Sequence, residues 1–101
     1  MKRSEYEDYV KLRSTNGLDT NYCVIALNEE AGEVAGWYKK FVLRGNPTEK
    51  LTLDDLKGEL GDTLYYLTAL ALNNNWTLDD IMEFNKAKLD DRVAKKMRSI
   101  A

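Results

Sequence analysis

Residues 20–43 read TNYCVIALNEEAGEVAGWYKKFVL, and residues 52–72 read TLDDLKGELGDTLYYLTALAL. Apolar residues recur three and four apart in both stretches, the period of a helix that buries one face. Five carboxylates are set into them: Glu29, Glu30 and Glu33 in the first, Glu59 and Asp62 in the second. They spell E-E-x-x-E and then E-x-x-D. None has a Lys or Arg three or four residues away. Helix acids are ordinarily balanced at that spacing, and like charges there destabilise. The rest of the chain follows the rule, with Glu7 facing Lys11, Asp54 facing Lys57, Glu83 facing Lys86 and Asp91 facing Lys95. The unbalanced acids point to a cation from outside the chain.

The same period predicts four helices. The first runs from Ser4 to Ser14, with Tyr6, Tyr9, Val10 and Arg13 on one face and Asn16-Gly17 as its stop. Asp19 or Thr20 caps the second, which runs to Leu43 and is stopped by Arg44-Gly45-Asn46-Pro47. Thr52 caps the third, which runs to Leu72, with Asp54 and Asp55 at its positive end. Thr77 caps the fourth, which runs to Ser99. Strand signals are weak. The expected packing stripes are Cys23, Leu27, Ala31, Val34, Tyr38 and Phe41; then Leu53, Leu56, Leu60, Leu64 and Leu67; then Leu78, Met82, Leu89, Val93 and Ile100. Glu30 falls at the edge of its stripe, and Glu29, Glu33, Trp37 and Lys40 beyond it. Asp55, Glu59, Asp62 and Tyr66 lie beside the leucines, and Asn85, Lys88 and Arg92 flank the last stripe. If the stripes pack together, these polar groups converge on one cleft. Helix two also has Ile25, Gly32, Gly36 and Leu43 on its back, so it is expected to be buried on two sides. That calls for a homo-oligomer, a C2 dimer, completing a four-helix, bundle-like protomer.

At 101 residues, 44% of them hydrophobic, the expectation is one all-α domain spanning residues 1–101. A net charge of −2 gives no footprint for nucleic acid. No apolar run is long enough to span a membrane. The polar start lacks a signal peptide, and Cys23 is alone, so a cytoplasmic address is expected. The absence of histidine removes His-based zinc sites and Ser-His or Cys-His catalytic pairs. It also removes the Glu-x-x-His signature of di-iron bundles.

Carboxylates at i,i+3 on two helices can aim several oxygens at one point. Oxygen ligands without nitrogen or thiolate suit Mg²⁺, or Mn²⁺ in its place. Such Mg²⁺ sites complete their shell with water and substrate phosphates, which links the cluster to phosphoryl chemistry. Lys40, Lys88 and Arg92 are candidate phosphate neutralisers. The plain alternative is a solvated acidic helix face. Trp37 is a candidate base-stacking residue, against a packing role. Tyr6 and Tyr9 read as core before base platform, and Cys23 as a small buried hydrophobe.

With N-E-E-A-G-E-V at 28–34 and G-E-L-G-D-T-L-Y-Y at 58–66, the chain resembles the MazG-like, all-α nucleoside triphosphate pyrophosphohydrolases. Leu27 before the acids and a later N-x-x-K-L at Asn85 to Leu89 fit the same pattern. The resemblance covers about residues 20–95. It implies Mg²⁺-dependent hydrolysis of a (d)NTP to a (d)NMP and pyrophosphate, in a dimer or tetramer. By motif position it makes Glu30, Glu33, Glu59 and Asp62 the metal ligands. Glu29 becomes an outer carboxylate or the base that orients water. Tyr66 touches a phosphate or sugar, and Asn85, Lys88 and Arg92 bind substrate. The competing expectation is a non-catalytic helical module that keeps the fold and binds a nucleotide or a protein.

Overall fold

The computed structural model of the chain describes residues 1–14 and 19–100. In order come α1 (Arg3–Arg13), α2 (Thr20–Tyr38), a π-helical turn (Lys39–Leu43), α3 (Leu53–Asn73) and α4 (Leu78–Ile100). Among the described residues there is no strand, so the chain is all-α. None of these helices is long and apolar enough to cross a membrane. The expected Asn16-Gly17 stop lies outside the described residues.

Local chemistry sets the helix starts. The Asp19 carboxylate accepts the Tyr22 backbone N–H at 2.7 Å. Thr52 and Asp55 cap each other reciprocally: the Thr52 hydroxyl accepts the Asp55 N–H at 3.2 Å, and the Asp55 carboxylate accepts the Thr52 N–H at 2.7 Å. Thr77 and Asp80 repeat this box at 3.1 and 2.9 Å. Each box satisfies donors that the helix itself leaves open. At its far end α2 loosens into the π turn, where the Arg44 N–H reaches the Lys39 carbonyl at 2.9 Å. Gly45 and Asn46 then take φ of +69° and +50°, the left-handed region that stops a helix. The Asn46 amide donates to the Leu51 carbonyl at 3.0 Å and accepts its N–H at 3.3 Å, which returns the chain to Thr52.

The principal packing is α2 on α3, with α1 added to α3. Val10, Cys23 and Ala69 meet at the centre, one from each helix, with Tyr6, Tyr65, Leu70 and Leu72 around them. Thr68 is fully buried, and its hydroxyl donates to the Leu64 carbonyl at 2.7 Å. Burial also pushes the Cys23 thiol up, keeping it protonated.

The register of the packing differs from the sequence expectation. On α2 the enclosed positions include Cys23, Leu27, Glu30, Val34 and Trp37, continued by Phe41 in the π turn, whereas Ala31 and Tyr38 are exposed. The packed face is therefore turned by one residue, and Glu30 lies on it. The indole supplies a reason: burying Trp37 removes more apolar surface from water than burying Ala31 could. On α3, Leu56 and Leu67 are partly enclosed, but Leu53, Leu60 and Leu64 are exposed. Glu59, Thr63 and Tyr66 turn inward instead. This helix is apolar on several sides, so its leucines alone do not select the face that packs. The small buried residues Thr68, Ala69 and Ala71 let neighbouring helices approach at its end.

Only the start of α4 is anchored. Leu78 is buried, and its N–H donates to the Glu7 carboxylate at 3.2 Å. Arg3 Nε meets Asp79 Oδ1 at 2.6 Å. Further along, Met82, Leu89, Val93 and Ile100 are exposed, and α4 makes no contact with α2. A helix of this length extends about 34 Å. The radius of gyration is accordingly 17.4 Å, against about 13 Å for a compact chain of this size. Within one protomer the stripe of α4 therefore does not join those of α2 and α3, and the expected convergence of polar groups is limited to those two helices. Two expected ion pairs are present, Lys57–Asp54 at 3.8 Å and Lys95–Asp91 at 2.9 Å. Lys86 pairs with Asp90 at 2.6 Å rather than with Glu83, and Glu7 serves α4 rather than Lys11.

Candidate functional site

The turned face of α2 carries Glu30 inward, and the inner face of α3 carries Glu59, with Asp62 one turn on. One carboxylate oxygen from each of the three lies within 4.8 Å of the others. Glu30 and Glu59 are partly enclosed and Asp62 is exposed, so the group is backed by protein and open on one side. None of the ion pairs among the described residues involves these acids. The Glu30 carboxyl is pushed above its ordinary range, first by burial and then by the charges of Asp62, Glu59, Glu29 and Glu33. Glu29 and Glu33 are exposed and stand outside the converging trio, near enough to add to that repulsion.

The trio edges a cleft of about 670 Å³, to which it contributes Glu30 and Asp62. From α3 come Gly58, Gly61, Tyr65 and Tyr66; from α1 come Tyr6, Tyr9 and Arg13. Tyr66 stands edge-on to Tyr65, with ring centroids 5.2 Å apart, and lies 6.1 Å from Tyr22. Burial, then a hydrogen bond with Tyr22, push the Tyr66 hydroxyl up. Tyr6 is raised by burial and then by Tyr65, Tyr9 and Asp62. Tyr6 therefore keeps a proton that it can donate into the cleft, whereas the Tyr66 proton is engaged with Tyr22. Tyr6, Tyr9, Tyr65 and Arg13 were not singled out as site residues from sequence. Three of them share one face of the first helix, which was the available signal.

The other candidates are placed elsewhere. Asn85 and Lys88 line a separate groove of about 500 Å³ on α4, with Trp76, Ile81 and Phe84. Arg92 and Lys40 are exposed and line neither cavity. Trp37 is 8% exposed and stacks on Phe41 at 4.7 Å. Its Nε1–H donates to the Thr52 carbonyl at 3.0 Å. This is a packing position, and the indole is not among the residues of the cleft.

A hard divalent cation fits the trio. The three convergent donors are all carboxylate oxygens, their charge is unbalanced, and the open side leaves room for water or phosphate. Fold and site together define an all-helical protein with an acidic centre at the mouth of an aromatic cleft. The chain belongs to the MazG nucleotide pyrophosphohydrolase domain family, whose model matches residues 20–97. That span holds both acid motifs and most of α4; α1 lies outside it. Neither the curated proteins nor the solved structures give a match.

Proposed function

We propose that this protein is a Mg²⁺-dependent pyrophosphohydrolase that converts a nucleoside or deoxynucleoside triphosphate to the monophosphate and pyrophosphate. The convergence of Glu30, Glu59 and Asp62 at an open cleft, in a chain of this family, carries the reading. These three would hold Mg²⁺ or Mn²⁺, with Glu33 as a fourth ligand from its motif position. When bound, the metal neutralises phosphate charge and acidifies water.

The chain's own residues do the rest. Glu29 orients the attacking water and takes its proton. Water oxygen bonds to the α-phosphorus, the bond from that phosphorus to the α–β bridging oxygen breaks, and pyrophosphate leaves with that oxygen. Tyr66, in the wall of the cleft, touches a phosphate or the sugar. Within one protomer Asn85, Lys88 and Arg92 stand apart from the acids. Their substrate-binding role is proposed for an assembly in which the exposed row of α4 packs on a second copy. Lys40 is retained as an outer cation.

That same separation favours the second reading, a non-catalytic helical module. Pyrophosphate release from NTPs and dNTPs, with Mg²⁺ and with EDTA, decides between them. Metal-dependent release that is lost in Glu30→Gln supports the enzyme; no release from any nucleotide overturns it.

A further inference from the structure

We propose that Arg13, held against the ring of Tyr9, binds the β,γ end of the substrate, the part that departs as pyrophosphate. The inference rests on the reaction proposed above and extends it to α1, outside the span matched by the family.

The first support is charge balance. Glu30 and Asp62 line the cleft, and Arg13 is the one cation among its described lining residues. A triphosphate carries most of its charge on the β and γ groups. Those oxygens meet the Glu30 and Asp62 carboxylates in the same cleft and need a counter-charge there. The metal-holding acids serve the phosphorus under attack, so a cation in the same cleft belongs to the charge-dense end.

How Arg13 is held is the second support. Its guanidinium carbon sits 5.6 Å from the Tyr9 ring centroid. Tyr9 in turn stacks on Tyr6, at 6.4 Å and 26°. No carboxylate pairs with Arg13 among the described residues. A ring fixes a guanidinium without neutralising it or occupying its N–H donors. Arg13 is therefore positioned and still has its planar fork free for two phosphate oxygens.

The test is titration of the full chain with inorganic pyrophosphate in Mg²⁺, beside titration with a nucleoside monophosphate. Arg13→Ala should weaken pyrophosphate binding about tenfold or more and leave the monophosphate within about twofold. Arg13→Lys should fall between, having charge without the fork. Tyr9→Leu should weaken pyrophosphate binding less than Arg13→Ala, and Tyr9→Phe, which keeps the ring, should match wild type. In turnover, Arg13→Ala should raise KM more than it lowers kcat. Pyrophosphate binding within about twofold of wild type in Arg13→Ala overturns the assignment, as does equal weakening of both ligands. So does a wild-type chain that binds no pyrophosphate. A wild type that turns over no nucleotide sinks the reaction reading, and the titration still decides the role of Arg13.

Discussion

The indole N–H of Trp37 donates to the main-chain carbonyl of Thr52 at 3.0 Å, which ties the end of α2 to the first cap of α3. The two helices joined here are the ones that carry the acids. The bond therefore helps fix Glu30 against Glu59 and Asp62. Trp37→Phe keeps an aromatic ring beside Phe41 and removes one of two donors to the Thr52 carbonyl, which still accepts the Asp55 N–H at 3.2 Å, a cost of about 0.5–1.5 kcal/mol. Trp37→Ala adds a cavity and should cost about 3–5 kcal/mol. Thermal denaturation checks both. Mg²⁺ binding should weaken in Trp37→Phe although the residue touches no ligand. A Trp37→Phe variant as stable as wild type would show that the bond contributes nothing.

Features fixed by neighbours in sequence were legible in advance. Thr52 and Thr77 cap their helices through residues three positions on, so each box is written in its own segment. Glu30, Glu59 and Asp62 were visible because a missing partner at i,i+4 is also a local property. Which face of a helix packs is not local. Ala31 and Tyr38 fit the apolar period while Glu30 fell at its edge and Trp37 beyond it, and the register is chosen instead by the area the indole buries and its reach to Thr52. On α3, leucines surround the helix, so counting them does not show that Leu60 and Leu64 face outward. The placement of Lys88 and Arg92 depends on how α4 leaves Leu78, a geometry that no periodicity encodes.

The acid trio should be a source of instability without a divalent cation. Glu30→Gln removes one of several mutually repelling charges at a partly enclosed position. In EDTA the variant should melt higher than wild type. In millimolar Mg²⁺ the order should reverse, because only the intact trio gains ligand stabilisation. Glu33→Gln should give a smaller rise in EDTA, since Glu33 is exposed and outside the trio, and should also lose turnover. Equal melting temperatures for Glu30→Gln and wild type in EDTA would contradict the repulsion.

The raised Glu30 carboxyl has a defined effect of pH. A carboxyl raised on folding binds its proton more tightly in the folded state than in the unfolded chain. Stability in EDTA should then decline as pH rises from the ordinary glutamate value through the raised one, and the loss persists above it. Cation binding requires the ionised form, so Mg²⁺ affinity should fall as pH drops through the same window. Melting curves from about pH 4 to 7, with EDTA and with Mg²⁺, check both signs. The two arms should converge at the acid end, and Glu30→Gln should lose this part of the pH dependence. A Mg²⁺ increment that stays constant over the whole range would refute the link.

Beyond Leu78, one face of α4 presents Met82, Leu89, Val93, Met97 and Ile100, all open to solvent, with Ile100 at 76% exposure. A helix of about 34 Å with such a row can supply much of the roughly 1,200–2,000 Å² that a stable interface buries. The exposed Leu53, Leu60 and Leu64 of α3 are a counterpart of matching chemistry. Charge agrees: no ion pair among the described residues uses Lys88 or Arg92, nor does any use the acids of α2. The wild-type chain should therefore give at least a dimer mass by light scattering at micromolar concentration. Val93→Glu combined with Met97→Glu should shift it to the monomer, because like charges would be buried in an apolar seam. If α4 serves the partner's acids, mixing inactive Glu30→Gln with an inactive Lys88→Ala, Arg92→Ala double variant should restore part of the turnover, since one site in the mixed dimer would be intact. A monomeric wild type with full turnover would instead mean that α4 works without a partner, and that Arg13 supplies the cleft's cation alone.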